Sequence, residues 1–139
     1  MTSGNGEDFA EQEEVLLKRL VSAYQEMKKA GRFELSKDLD FQVKKKIDGK
    51  KERVAKLKGN RVLVSVDAVS LPKSALKYVI AHEVAHKFTK RHTDRFWSII
   101  ENLYPNYKVG RSALEANFSP SRHYVESCDN ALNRSFAGN

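Results

Sequence analysis

The stretch YVIAHEVAHKFTKRHTDRFW, residues 78–97, constrains this chain more than any other. It contains His82-Glu83-x-x-His86, followed six residues later by His92. Leu76, Val79 and Ile80 set an apolar run on helical spacing ahead of it, continued by Val84 and Ala85 between the histidines. Residues four apart share one face of an α-helix, so the imidazoles of His82 and His86 project together within reach of a single ion. Glu83 lies one step round the helix, where a carboxylate reaches a water at that ion. Imidazole donors, an open coordination position and a carboxylate to take a proton are the parts of a zinc hydrolase site.

His92 adds a condition on the backbone. Six residues of continuous helix rotate the chain by roughly 600°, which would turn His92 away from the other two. The helix is therefore expected to stop near Phe88–Lys90 and the chain to turn back. Thr93 then serves as N-cap of a second helix through Phe96, Trp97, Ile100 and Leu103. No glycine or proline marks the break. A lone helical histidine is usually structural, and the pentapeptide alone arises by chance. Here three of the four histidines fall within eleven residues at ligand spacing, which favours a metal site.

At these residues the sequence resembles the YgjP-like metal-dependent hydrolases, of the zincin type. The likeness takes in Tyr78-Val79-Ile80-Ala81, His92-Thr93-x-x-Phe96-Trp97 and Pro105-Asn106-Tyr107-x-x-x-Arg111, with Arg61–Val66 and Leu71-Pro72 upstream. It covers residues 60–114 or so. The resemblance implies that His82, His86 and His92 are zinc ligands and Glu83 the general base, acting on a peptide or protein. The SprT-like and WLM-domain proteases share the core motif and are linked to DNA-associated proteolysis. The metzincin pattern does not apply: Thr89 stands where it has glycine, and no methionine follows His92, since Met1 and Met27 are the only two. Departures from the YgjP-like pattern are Val84, where leucine is usual, and a shorter amino-terminal part.

A chain of 139 residues can bury one core without disulfides. Its single cysteine, Cys128, excludes an intramolecular bridge and reads as an ordinary thiol. The start, MTSGNGEDF, has neither a basic nor an apolar signal region, and no stretch reaches membrane-spanning length, so a cytoplasmic protein is expected. The formal charge of +7 is concentrated in residues 44–61, where nine lysines and arginines face only Asp48 and Glu52. Such a segment could draw DNA or a nucleotide. It reads equally as a solvated hairpin whose edge lysines oppose aggregation. Aromatic residues are missing from 42–77, which argues against base stacking there.

In chain order, residues 1–6 read as disordered, 7–117 as one zincin-like domain and 118–139, with His123, as a loosely held tail. Residues 7–30 form an amphipathic helix, with Leu17, Leu20, Val21, Tyr24 and Met27 on its apolar face and Gly31 at its C-cap. Leu39, Phe41, Val43 and Ile47 suggest a strand, Asp48-Gly49 a tight turn, and Arg53–Leu57 a strand pairing back. Lys58-Gly59-Asn60 turns again into Arg61–Val66. The expected fold is α+β: a three-stranded antiparallel sheet, basic on its outer face, packed against the N-terminal helix, the histidine helix and the helix after it. Arg61–Val66 is the candidate free edge for a substrate strand. Residues 106–117 add a short helical piece, and Tyr104, Tyr107 or Arg111 could stabilise an oxyanion.

Three readings follow. A zinc peptidase comes first. A metal-dependent nucleotide phosphohydrolase, with the lysine-rich segment as clamp, uses the same donors. A binding module would use zinc only as a staple, but structural zinc ordinarily takes four protein ligands and Glu83 would then have no task.

Overall fold

The computed structural model describes residues 5–30, 39–49 and 53–117. The expected tail, with His123 and Cys128, and the expected C-cap Gly31 lie outside these residues. In order along the chain come helix α1 (Asn5–Ala30), strands β1 (Asp40–Lys44), β2 (Ala55–Lys58) and β3 (Arg61–Ser65), and a 3-10 turn at Val66–Ser70. Helices α2 (Lys73–Ala85), α3 (Asp94–Leu103) and α4 (Tyr107–Asn117) follow.

Helix α1 begins two residues before the expected Glu7. Its buried stripe is Leu16, Leu20, Ala23, Tyr24 and Met27. Val21, expected on that stripe, is 42% exposed, and Leu17 is only partly buried. The run Leu16-Leu17 permits two faces one residue apart, and the one that keeps Ala23 against the core lets the helix approach closely. Arg19 then reaches across to donate to the Val69 carbonyl at 2.7 Å. Glu26 takes Lys73 at 2.6 Å and Lys77 at 2.9 Å, orienting α1 along α2. These two lysines hold the Glu26 carboxyl down to about 2.

The sheet is mixed, not an antiparallel meander. Its order is β1-β3-β2, with β1 parallel to β3 and β2 antiparallel to it. Asp48 and Gly49 do turn the chain, at φ 55° and 72°. The strand that follows nevertheless pairs with β3 instead of returning to β1. Burial explains the order. Val62, Leu63, Val64 and Ser65 are all buried, which suits a central strand, while β1 and β2 alternate with charged residues and suit edges. Arg61–Val66 is therefore interior and offers no free edge. The strand itself stops at Ser65, whose hydroxyl accepts from the Asp67 amide and starts the 3-10 turn.

One face of the sheet carries Phe41, Val43, Ala55, Leu57, Val62 and Val64 into the core with the helices. The opposite face presents Gln42, Lys44, Lys56, Lys58 and Arg61, with Leu63 among them. It is basic, as expected. Asp40 holds Arg61 at 3.0 Å and Asp48 holds Lys56 at 3.1 Å, so carboxylates answer two of its cations. A depression of about 440 Å³ lies over this face.

Helix α2 is buried almost all round, and α4 lies close against it. Gly110 allows the approach: a Cβ there would overlap the Ser74 carbonyl oxygen and come within 2.8 Å of Tyr78 Cβ and 2.9 Å of the Tyr104 ring. Gly110→Ala is expected to destabilise the protein by about 1–3 kcal/mol, because overpacking outweighs the helix propensity gained. Equilibrium unfolding in urea measures it. An unchanged midpoint would show that α4 can shift freely. Among the described residues no helix is long and apolar enough to cross a membrane.

Candidate metal centre

The site is built at the end of α2. Helix α2 carries His82 and Glu83 in its last turn and ends at Ala85, with His86 as C-cap still in the right-handed region (φ −68°, ψ −13°). The helix therefore stops three residues before the expected break. His86, Lys87 and Phe88 amides bond to carbonyls three residues back, Glu83, Val84 and Ala85, tightening the last turn. Among the described non-glycine residues only Asp48 has a positive φ. The reversal after His86 needs no left-handed residue, which is why no glycine announces it.

The chain then returns through Thr89 and Arg91 to His92. Thr93, as expected, caps α3, its hydroxyl accepting from the Phe96 amide at 3.4 Å. Helix α3 sends Phe96, fully buried, under all three histidines. Its ring lies 5.2, 4.8 and 4.6 Å from the rings of His82, His86 and His92. Trp97 follows at 6.4 Å from His92.

All the expected residues come together. Donor nitrogens of His82, His86 and His92 lie within 4.8 Å of one another. His86 Nε2 and His92 Nε2 are 3.3 Å apart. Two metal–nitrogen bonds of about 2.0–2.1 Å at a tetrahedral angle separate their nitrogens by about 3.3–3.4 Å, so this pair already stands at ligand spacing. The Thr89 carbonyl faces His86 Nδ1 at 3.3 Å. A proton on Nδ1 donates to it and leaves Nε2 with its lone pair turned to the cluster. The donor set thus suits one metal ion. Glu83, only 3% exposed, puts Oε2 3.5 Å from His82 Nδ1.

Burial keeps these imidazoles neutral. It drives His82 well below its ordinary range, with help from the charges of His86, His92 and Arg53. His86 is lowered by burial against an opposing pull from Glu83. His92 is pushed down to about 4, first by burial and then by His86. Neutral imidazole is the ligating form, so protons compete weakly for the site near neutral pH.

The depressed values also set a pH dependence. In the unfolded chain these histidines bind protons near pH 6.5, while in the fold His92 waits until about 4. Between those values protons favour the unfolded state, so stability of the metal-free protein falls as pH drops through that window. Melting temperatures at pH 7 and pH 4.5 measure the loss, and His92→Gln is expected to lose part of it. An equal slope in that variant would contradict the assignment.

Tyr107 stacks on Trp97 at 5.8 Å, and the Arg111 guanidinium lies 5.9 Å from the same indole. Tyr104 borders Gly110, and burial raises its hydroxyl above the usual range. Two residues escaped the sequence reading. Phe96 was expected in the core and is there, but it is also the floor under the three imidazoles. Arg53 was one cation among nine, and its charge acts on His82 and His86. The apolar Val54-Ala55 that follows it was the available signal.

This geometry can be set beside known proteins. Residues 54–117 match the profile of the family described as YgjP-like, metallopeptidase domain. This stretch is similar to the YgjP-like metallopeptidase domains. The matched residues begin at the first residue before β2 and end with α4, so they hold the whole histidine cluster. The crystal structure of the metallopeptidase zymogen of Pyrococcus abyssi abylysin is similar in fold, with a TM-score of 0.57 at 15% identity. The likeness covers 73% of this chain and 96% of that one. The α+β arrangement of four helices and a small mixed sheet is thus similar to a metallopeptidase fold. No curated protein matches the chain.

Proposed function

We propose that this chain is a zinc-dependent peptidase in which His82, His86 and His92 hold the ion and Glu83 is the general base. The observation that carries the reading is the gathering of the three imidazoles around one point, with the buried Glu83 carboxylate beside them. A zinc ion held there would supply a Lewis acid that polarises a carbonyl and makes water a nucleophile near neutral pH. Glu83 takes the proton as the water oxygen bonds to the carbonyl carbon, and returns it to the nitrogen as the C–N bond breaks. Phe96 and Trp97 back the imidazoles with apolar surface, fixing their orientation and keeping bulk water from that side. Three protein donors leave a coordination position open, which favours catalysis over a structural staple.

The substrate backbone is expected to lie along β2. Among the described residues β2 pairs on one side only, with β3. Lys87, next to His86, reaches Asn60 in the β2–β3 turn, tying this side of the sheet to the end of α2. A peptide added there gains main-chain hydrogen bonds with little sequence preference. Methylating alternate backbone nitrogens of a cleaved peptide should weaken its KM by about tenfold or more, since charge-free hydrogen bonds of about 1 kcal/mol are lost together. Equal KM values for both peptides would remove β2 from the reading.

The peptidase is favoured over the nucleotide hydrolase by the direction of the lysines. Lys44, Lys56 and Lys58 project from the sheet face opposite the helices, away from the imidazoles, so they make a poor clamp for a phosphate at the ion. Mass spectrometry of products tests both. Zinc-loaded wild type and Glu83→Gln are incubated with an unfolded protein and with nucleoside triphosphates, with and without DNA. New peptides from wild type alone are expected. Glu83-dependent nucleotide products without peptides would replace the reading by the phosphohydrolase.

A further inference from the structure

Strand β2 is tied to the end of α2, because Lys87, next to His86, reaches Asn60 two residues beyond the strand. Among the described residues β2 pairs only with β3, so its outer edge has main-chain donors and acceptors to offer. Its side chains divide by the pleat. Ala55 and Leu57 lie opposite Val64 and Val62 on the core side, while Lys56 and Lys58 lie opposite Leu63 and Arg61 on the outer face. A strand added at this edge follows the same alternation. Every second side chain of a bound peptide then stands beside Ala55 and Leu57, and those between stand beside Lys56 and Lys58.

The two lysines are not equivalent. Lys56 is held by Asp48 at 3.1 Å. Lys58 has Arg61 directly across from it, a like-charge pair that is unfavourable on a sheet. Arg61 leans away towards β1, donating to Asp40 Oδ2 at 3.0 Å and to Gln42 Oε1 at 3.4 Å. Among the described residues no carboxylate is paired with Lys58, which is exposed and lines the depression over the outer face. The edge therefore offers an anion a place on its outer side and an apolar side chain a place on its inner side.

We propose that Lys58 is a specificity-determining residue, and that β2 selects extended peptides with a carboxylate side chain beside Lys58 and apolar side chains at the flanking positions. The proposal rests on the peptidase reading. Main-chain hydrogen bonds hold any strand alike, so the choice falls to the charge pair at Lys58 and the apolar contact at Leu57. The carboxylate stands on the face turned away from the imidazoles, where it aligns the chain without competing for the ion. The apolar strip beside the cation suits a peptide better than a phosphate chain.

The test uses the zinc-loaded full chain carrying Glu83→Gln, so that ligands are bound and not cut. Capped, dansyl-labelled hexapeptides alternate valine with glutamate, glutamine or lysine, and fluorescence anisotropy gives their Kd values. The glutamate peptide is expected to bind about two- to fivefold more tightly than the glutamine one, with lysine weaker by a similar factor. Adding Lys58→Glu should reverse this order, and Lys58→Gln should nearly flatten it. An unchanged order in Lys58→Glu overturns the proposal, because overall charge or the ion would then set it. So does tighter binding of a short oligothymidylate than of the glutamate peptide, or failure of all three peptides to bind. Both lysine variants should keep their melting temperatures. A lower melting temperature with equal loss for all three peptides would mark Lys58 as structural and overturn the proposal. A wild type that makes no Glu83-dependent peptides refutes the peptidase reading separately, and the order of Kd values still decides Lys58.

Discussion

Glu83→Gln is expected to keep its metal and to lose about 100- to 10,000-fold in peptide turnover, the span that a positioned general base contributes. The substitution preserves volume at a residue that is 3% exposed, so packing around α2 has little reason to change. The amide cannot accept a proton at neutral pH. It therefore leaves the water and the open coordination position in place while removing the group that collects the proton. Measured together, metal content by elemental mass spectrometry and kcat on a cleaved peptide separate the two roles. Normal turnover in a fully loaded Glu83→Gln protein would remove Glu83 as the base. Loss of the metal would instead make the carboxylate part of what holds the ion.

His92→Ala is the second large effect. This ring is the one donor contributed from beyond the C-cap of α2, and it reaches the others only because the chain reverses after His86. Deleting it leaves two imidazoles at the end of a helix, a set that must be completed by water. Loss of a supporting group around a ligand already costs about 10- to 100-fold in metal affinity, so losing the ligand itself should cost at least about 100-fold. The fold should survive, because Thr93 caps α3 independently and Phe96 remains buried against α2. A competition titration against a zinc chelator reads the change. Unchanged affinity would sink the three-histidine site.

Much of the site was legible because its chemistry is written in local spacing. His82, Glu83 and His86 sit within one helical turn, so a helix alone brings them together. Thr93 is a cap type at the position where a second helix had to begin, and that too is local. The place where α2 ends was less legible, because the reversal uses 3-10-type bonds at ordinary φ values and leaves no glycine signature. Sheet order was misread for a different reason. Asp48-Gly49 specifies a turn, but a turn does not say which strand its exit will pair with. The continuous burial of Val62, Leu63 and Val64 was the evidence for a central strand, and it outranks the turn. On α1 the adjacent Leu16 and Leu17 gave two nearly equivalent apolar faces, and only packing of Ala23 and Tyr24 decides between them. Arg53 could not be singled out from composition. A cation in a run of cations looks solvated until the fold buries its Nε.

Metal-edge X-ray absorption on the zinc-loaded chain shows whether three imidazoles and no other side chain hold the ion. Three imidazole nitrogens at about 2.0–2.1 Å with one further light scatterer are expected, falling to two imidazoles in His92→Ala. A sulfur shell near about 2.3 Å, or only two imidazoles in the wild type, would contradict it.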